Sequence, residues 1–91
     1  MRKEDLLKKI LIIIVENFNW LNDKIILPED RLREDLGLDS LGMVNLQVSI
    51  EDEFGIRFDP VETDLTEVFN TINSLIEFVY THVLNNRKIE I

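Results

Sequence analysis

The chain has 91 residues, 45% of them hydrophobic, no cysteine, and 18 acidic against 10 basic side chains. That length bounds a single domain held together by one hydrophobic core, and the missing cysteines exclude disulfide scaffolds and thiolate metal sites. The net charge of −8 argues against a surface built for nucleic acid or anionic lipid and favours basic partners.

The apolar run from Ile10 to Val15 is far shorter than the roughly 20 residues of a membrane span. No alanine is present to build a small-residue signal cleavage site. The expectation is a monomeric cytoplasmic domain that stands alone from Met1. Residues 1–84 form the domain and 85–91 a frayed C-terminal tail.

Leu6, Leu7, Ile10, Leu11, Ile14 and Phe18 recur at helical spacing and predict an amphipathic helix over 4–17. From Asn19 to Asp39 the pattern dissolves into Pro28, Gly37 and the scattered apolar residues Trp20, Leu21, Ile25, Ile26, Leu27, Leu32 and Leu36. This reads as a long loop pinned down by side chains, with Phe18 and Trp20 as anchors at its head. A loop of that length in a small domain is usually functional.

A second helix is predicted from Ser40 to Phe54, stopped by Gly55. Asp64 can cap a short turn through Phe69, and Thr71 a last helix in which Ile72, Leu75, Ile76, Val79 and Val83 share one face. Gly55 to Phe58 is too short to pair as a strand alone. The fold class is therefore all-α, a small three-to-four-helix bundle with a long loop between the first and second helices.

The second helix carries two apolar stripes. Met43, Leu46, Ile50 and Phe54 face the core, while Leu41, Val44 and Val48 lie roughly 140° round the axis. Either the long loop folds over that second stripe, or it is an exposed apolar patch flanked by Glu51, Asp52 and Glu53, as a protein-binding surface would be. The charge is concentrated here too, because Glu29 to Glu67 holds 12 acids against Arg31, Arg33 and Arg57.

At the junction of loop and helix stands Leu36-Gly37-Leu38-Asp39-Ser40-Leu41, and the helix closes with Glu53-Phe54-Gly55. Taken alone, Asp39-Ser40 is a helix cap. Together with the helix order and the acidity, the run resembles the acyl carrier protein family, including its aminoacyl and peptidyl carriers, from the first helix through Val83. The resemblance implies that a phosphopantetheinyl transferase using magnesium esterifies Ser40 with phosphopantetheine from coenzyme A. Asp39 is then the acid beside the attachment site, and an acyl or aminoacyl group rides as a thioester on the arm. Leu41 and Val44 match partner-contact positions, Val48 continues their stripe, and Glu51, Asp52 and Glu53 match the acidic end of the recognition helix. The core stripe matches residues that line the acyl pocket in members that sequester their chain.

A carrier of this kind has no catalytic residue and is not an enzyme. Its implied partners are the transferase, an acyl- or aminoacyl-loading enzyme, and downstream transferases or synthases with basic docking patches. Gly42 and Asn45 stand where fatty-acid carriers usually have acids, and glycine at 42 looks more like D-alanyl and other aminoacyl carriers. A specialised or aminoacyl carrier is thus the expectation. A fatty-acid or polyketide carrier and an unmodified acidic helical interaction module remain the alternatives.

His82 reads as a surface histidine, since a Ser-His-Asp arrangement with Ser40 would require two helix ends to meet. Asp59 to Glu67 is acidic but lacks the spacing of a calcium loop, and no zinc spacing or glycine-rich phosphate loop occurs, so no metal site is expected.

Overall fold

A computed structural model describes residues 2–59, 61 and 63–89, with side chains through Leu84. Among the described residues four helices run in the order α1 (Lys3–Asn17), α2 (Ser40–Phe54), α3 (Leu65–Val68) and α4 (Ile72–Ile89), with a 3-10 turn over Asn19–Leu21. The described residues contain no strand, and their one ladder-like feature is an isolated bridge between Arg31 and Thr71. The all-α bundle with a long loop after the first helix is the architecture that the sequence patterning predicts.

Helix α1 packs on both α2 and α4. Its buried stripe of Leu6, Ile10, Ile13 and Ile14 meets Leu46 and Ile50 of α2 and the buried Ile72, Leu75, Ile76 and Val79 of α4 in one continuous core. Full burial of each such side chain stabilises the fold by about 1.5–3 kcal/mol relative to exposure. Lys3 pairs with Glu77 across α1 and α4.

The start of α4 shows why the long loop is ordered. An α-helix begins with N–H groups that have no partner inside it. Here Ile72 N–H donates to Asp30 O at 3.1 Å, Asn73 N–H to Pro28 O at 2.8 Å, and Ser74 N–H to Thr71 Oγ1 at 3.0 Å. Ser74 Oγ in turn accepts from Thr71 N–H at 3.0 Å, closing a reciprocal cap. The loop thus satisfies the helix while the helix fixes the loop, and Leu32 N–H adds a third tie to Asn70 O at 3.0 Å.

Of the apolar residues read as loop pins, Leu21, Leu32 and Leu36 are buried, whereas Trp20, Ile25 and Leu27 are exposed. Phe18 is buried as expected. Trp20 holds the loop by its edge instead, its Nε1–H donating to Leu36 O at 3.2 Å and its ring tilted against Phe18 at 5.3 Å. Helix α4 also continues to Ile89, beyond the point where the apolar stripe ends and fraying is expected. Residues 90 and 91 of the expected tail lie outside the described residues.

Candidate functional site

Ser40 is the first residue of α2 and is exposed to solvent. Asp39 precedes it in extended conformation, with φ −91° and ψ −176°, and its Oδ1 accepts the Gly42 N–H at 2.8 Å. That bond is the helix cap that an Asp at this position supplies. The N–H groups of Ser40 and Leu41 have no acceptor among the described residues. The positive end of the helix therefore opens toward solvent beside the serine hydroxyl.

The approach to Ser40 is set by a tight chain reversal. Gly37, at φ 78°, adopts the left-handed conformation that a side chain would strain. Its N–H donates to Arg33 O at 3.1 Å, and Leu38 N–H donates to Leu32 O at 3.0 Å. The reversal brings Arg33 over the start of α2, where its Nη2 donates to Ser40 Oγ at 3.1 Å. The preceding turn is locked by Asp35, whose Oδ2 accepts from Arg31 N–H at 2.7 Å and from Arg31 Nε at 3.2 Å. The Arg31 backbone N–H, and then its guanidinium, hold the Asp35 carboxyl below the usual carboxylate range. In return the bond from Asp35, with the charges of Asp35 and Glu34, raises the Arg31 guanidinium.

Gly42 is buried with the Phe18 ring and the Asp39 carboxylate against it, so a side chain here requires one of them to give way. A Cβ at this position would lie 3.2 Å from Phe18 Cε1 and 3.3 Å from Asp39 Oδ1, both tighter than ordinary packing.

The second stripe of α2 stays open to solvent, because the long loop does not fold over it. Leu41 is 69% exposed, Val44 54% and Val48 48%. The three acids read as flanking this stripe differ in what they touch. At about 100° per residue, Asp52 follows Leu41 and Val48 along the exposed face, whereas Glu53 lies about 120° round from Leu41. Both Asp52 and Glu53 border a shallow groove with Ile13, Glu16 and Asn17 of α1. Glu51 is half-buried, and its Oε2 accepts the Phe58 N–H at 2.9 Å, tying the chain after α2 back onto the helix.

An open cleft of about 500 Å³ lies between Arg33 of the loop, Met43, Val44 and Gln47 of α2, and Leu65 and Phe69 at α3. It borders the open stripe at Val44. His82 sits on α4, its ring stacked on Phe78 at 4.0 Å and its Nδ1 3.0 Å from Phe78 O. These contacts tie it to its own helix.

Arg33 is the site residue that sequence reasoning misses. The only signal is an arginine seven residues before Ser40 in a strongly acidic stretch. The tight reversal that carries it to the serine is not written in any periodicity.

The comparisons with known proteins meet this geometry. A family model described as a phosphopantetheine attachment site matches residues 8–79. An acyl carrier protein of Desulforapulum autotrophicum is 37% identical over 71 residues, 78% of this chain and 88% of that protein. One from Thermosynechococcus vestitus is 29% identical over 83 residues, 91% of this chain and 98% of its own. A third, from Thermotoga maritima, is 30% identical over 77 residues, covering 85% and 90% of the two chains. With most of its length matched on both counts, and with a serine presented at the open end of a helix, the chain belongs to the acyl carrier protein family, whose members carry covalently attached phosphopantetheine.

Proposed function

We propose that Ser40 bears the phosphopantetheine and that the protein carries an acyl group as a thioester on that arm without catalysing a reaction itself. The observation that supports this is the exposed Ser40 hydroxyl at the first turn of α2, with an arginine within hydrogen-bond distance. The residues fit the group. A phosphodiester at this position would meet the open Ser40 and Leu41 N–H groups, the positive end of the α2 dipole and the Arg33 guanidinium. When attached, the group supplies a thiol, which a chain without cysteine lacks, on an arm whose reach sets the effective concentration of cargo in a partner's active site.

The chain's own residues supply the rest. Asp39 keeps the helix start formed by capping Gly42, so modification of the neighbouring serine leaves α2 in place. Leu41, Val44 and Val48 offer an apolar docking face with Asp52 in line, suited to partners that present apolar contacts ringed by basic groups. Those partners are a phosphopantetheinyl transferase, a loading enzyme and the downstream enzymes that accept the cargo. Glu51 and Glu53 contribute to the negative field from the sides of that face.

The domain over residues 1–84 works as a monomer in the cytoplasm, and among the described residues no helix is long and apolar enough to cross a membrane. The relatives are acyl carrier proteins, which supports an acyl cargo in general. Packing against Phe18 gives Gly42 a structural reason of its own, and the narrower aminoacyl reading rests on that glycine together with Asn45, exposed and uncharged beside Leu41. Cargo loading tests the reading. Protein pre-treated with coenzyme A, magnesium and a broad-specificity transferase should accept a hydroxylamine-labile group from an acyl- or aminoacyl-loading enzyme, and Ser40→Ala should accept none. A label held by Ser40→Ala would overturn it.

A further inference from the structure

We infer that Arg33 is the side chain that holds the phosphodiester once the arm is attached, offsetting its charge against Asp39; this rests on Ser40 being the attachment residue. Attachment places one more negative charge on the residue next to Asp39, in the stretch Glu29 to Glu67 that already carries 12 acids against three arginines. Of those three, Arg31 is committed to Glu34 and Asp35, and Arg57 makes no ion pair among the described residues. Arg33 likewise pairs with no carboxylate there, and its one described hydrogen bond goes to Ser40 Oγ at 3.1 Å. A guanidinium is a poor use of charge if its only task is to bind a neutral hydroxyl. It is well suited to the non-bridging oxygens of a phosphate bonded to that same oxygen, since its planar fork presents several N–H donors at once.

The backbone leading to Arg33 is set before the arm arrives. The Gly37 N–H to Arg33 O bond, the Leu38 N–H to Leu32 O bond and the Asp35 lock on Arg31 define the loop, so only the Arg33 side chain has to adjust. Arg33 also borders the cleft with Val44, so a phosphate held by it stays at the edge of the exposed apolar face where a partner would dock. A helix terminus alone would neutralise part of the charge in any orientation. The arginine adds a direction.

The test uses the full chain before and after transferase treatment, with intact mass and fragment mapping confirming one phosphopantetheine on Ser40. The expected result is that the phosphorus resonance of the arm differs between the parent and Arg33→Gln and is restored toward the parent value in Arg33→Lys. The Arg33 Nε–Hε signal of the parent should move on modification. At low salt the modified parent should melt higher relative to its unmodified form than modified Arg33→Gln does relative to its own, by about 2–4 °C, the scale of an exposed ion pair in a domain of this size. High salt should erase the difference. A phosphorus resonance identical in all three proteins, with an unmoved Arg33 signal in the modified parent, would overturn the assignment while leaving Ser40 as the attachment residue. Absence of the arm from Ser40 in the parent itself would overturn both.

Discussion

The Phe18 ring lies directly over Gly42, so closely that a Cβ on Gly42 would stand 3.2 Å from Phe18 Cε1. Two effects compete at this position. Replacing a helix glycine with alanine gains about 1 kcal/mol of helix propensity, while forcing an extra carbon into a packed site costs about 1–3 kcal/mol. The ring is buried and the second neighbour is the capping carboxylate of Asp39, so the steric cost should win. Gly42→Ala is expected to lower stability by about 1 kcal/mol in urea unfolding, and Gly42→Asp by more, because it places a second carboxylate beside Asp39. A more stable Gly42→Ala would show that Phe18 yields and that packing does not explain the glycine.

Val44 and Glu51 should separate docking from folding. Val44 is exposed on α2, so Val44→Lys is expected to leave helical content and melting temperature within experimental scatter. It should raise the KM of a phosphopantetheinyl transferase for this protein. Glu51 accepts the Phe58 N–H, and its replacement by alanine should cost about 1–2 kcal/mol of stability by removing a charge-assisted hydrogen bond. Equal destabilisation by the two variants, read by thermal unfolding, would mean that the exposed face is structural.

Asp35 gives the loop a pH dependence. Its folded carboxyl titrates below the ordinary value because the Arg31 backbone N–H and guanidinium favour the charged form. A depressed carboxylate contributes stability that is fully present above the unfolded pKa of about 3.9 and is lost as pH falls through the lower folded value. Relative to Asp35→Asn, the parent should therefore show a steeper loss of stability on acidification below about pH 4. Parallel profiles for the two proteins would contradict the role given to Asp35.

Charge concentration should make the unmodified fold salt-sensitive. With a net charge of −8, self-repulsion opposes the compact state, and raising ionic strength or adding magnesium should lift the melting temperature. A flat response between about 0.02 and 0.5 M salt, across which screening shortens several-fold, would count against it.

The helices were legible because burial writes a period into the sequence. Leu6, Ile10 and Ile14 repeat as a helix face must, and Asp39, Gly55, Asp64 and Thr71 mark the ends through chemistry that depends only on neighbouring residues. What escaped lies where the fold, not the local pattern, decides. Trp20, Ile25 and Leu27 are apolar yet exposed, and nothing in their spacing distinguishes them from the buried Leu32 and Leu36. The Phe18 ring packed against Gly42 has no signal in the residues around that glycine. The bond from Phe58 N–H to Glu51 joins residues seven apart across the end of α2 and has no local signal. Arg33 reaches Ser40 through a reversal at Gly37 that no periodicity encodes.

The central claim is that Ser40 bears the arm, and mass measurement tests it most directly. The protein is incubated with coenzyme A, magnesium and a transferase that modifies a control carrier in parallel, and its intact mass is read before and after with fragments mapped to residues. The expected result is a gain of one phosphopantetheine, located on Ser40 and abolished in a Ser40→Ala variant that still folds. An arm located on another residue, or no gain with a cognate transferase while the control is modified, would contradict it.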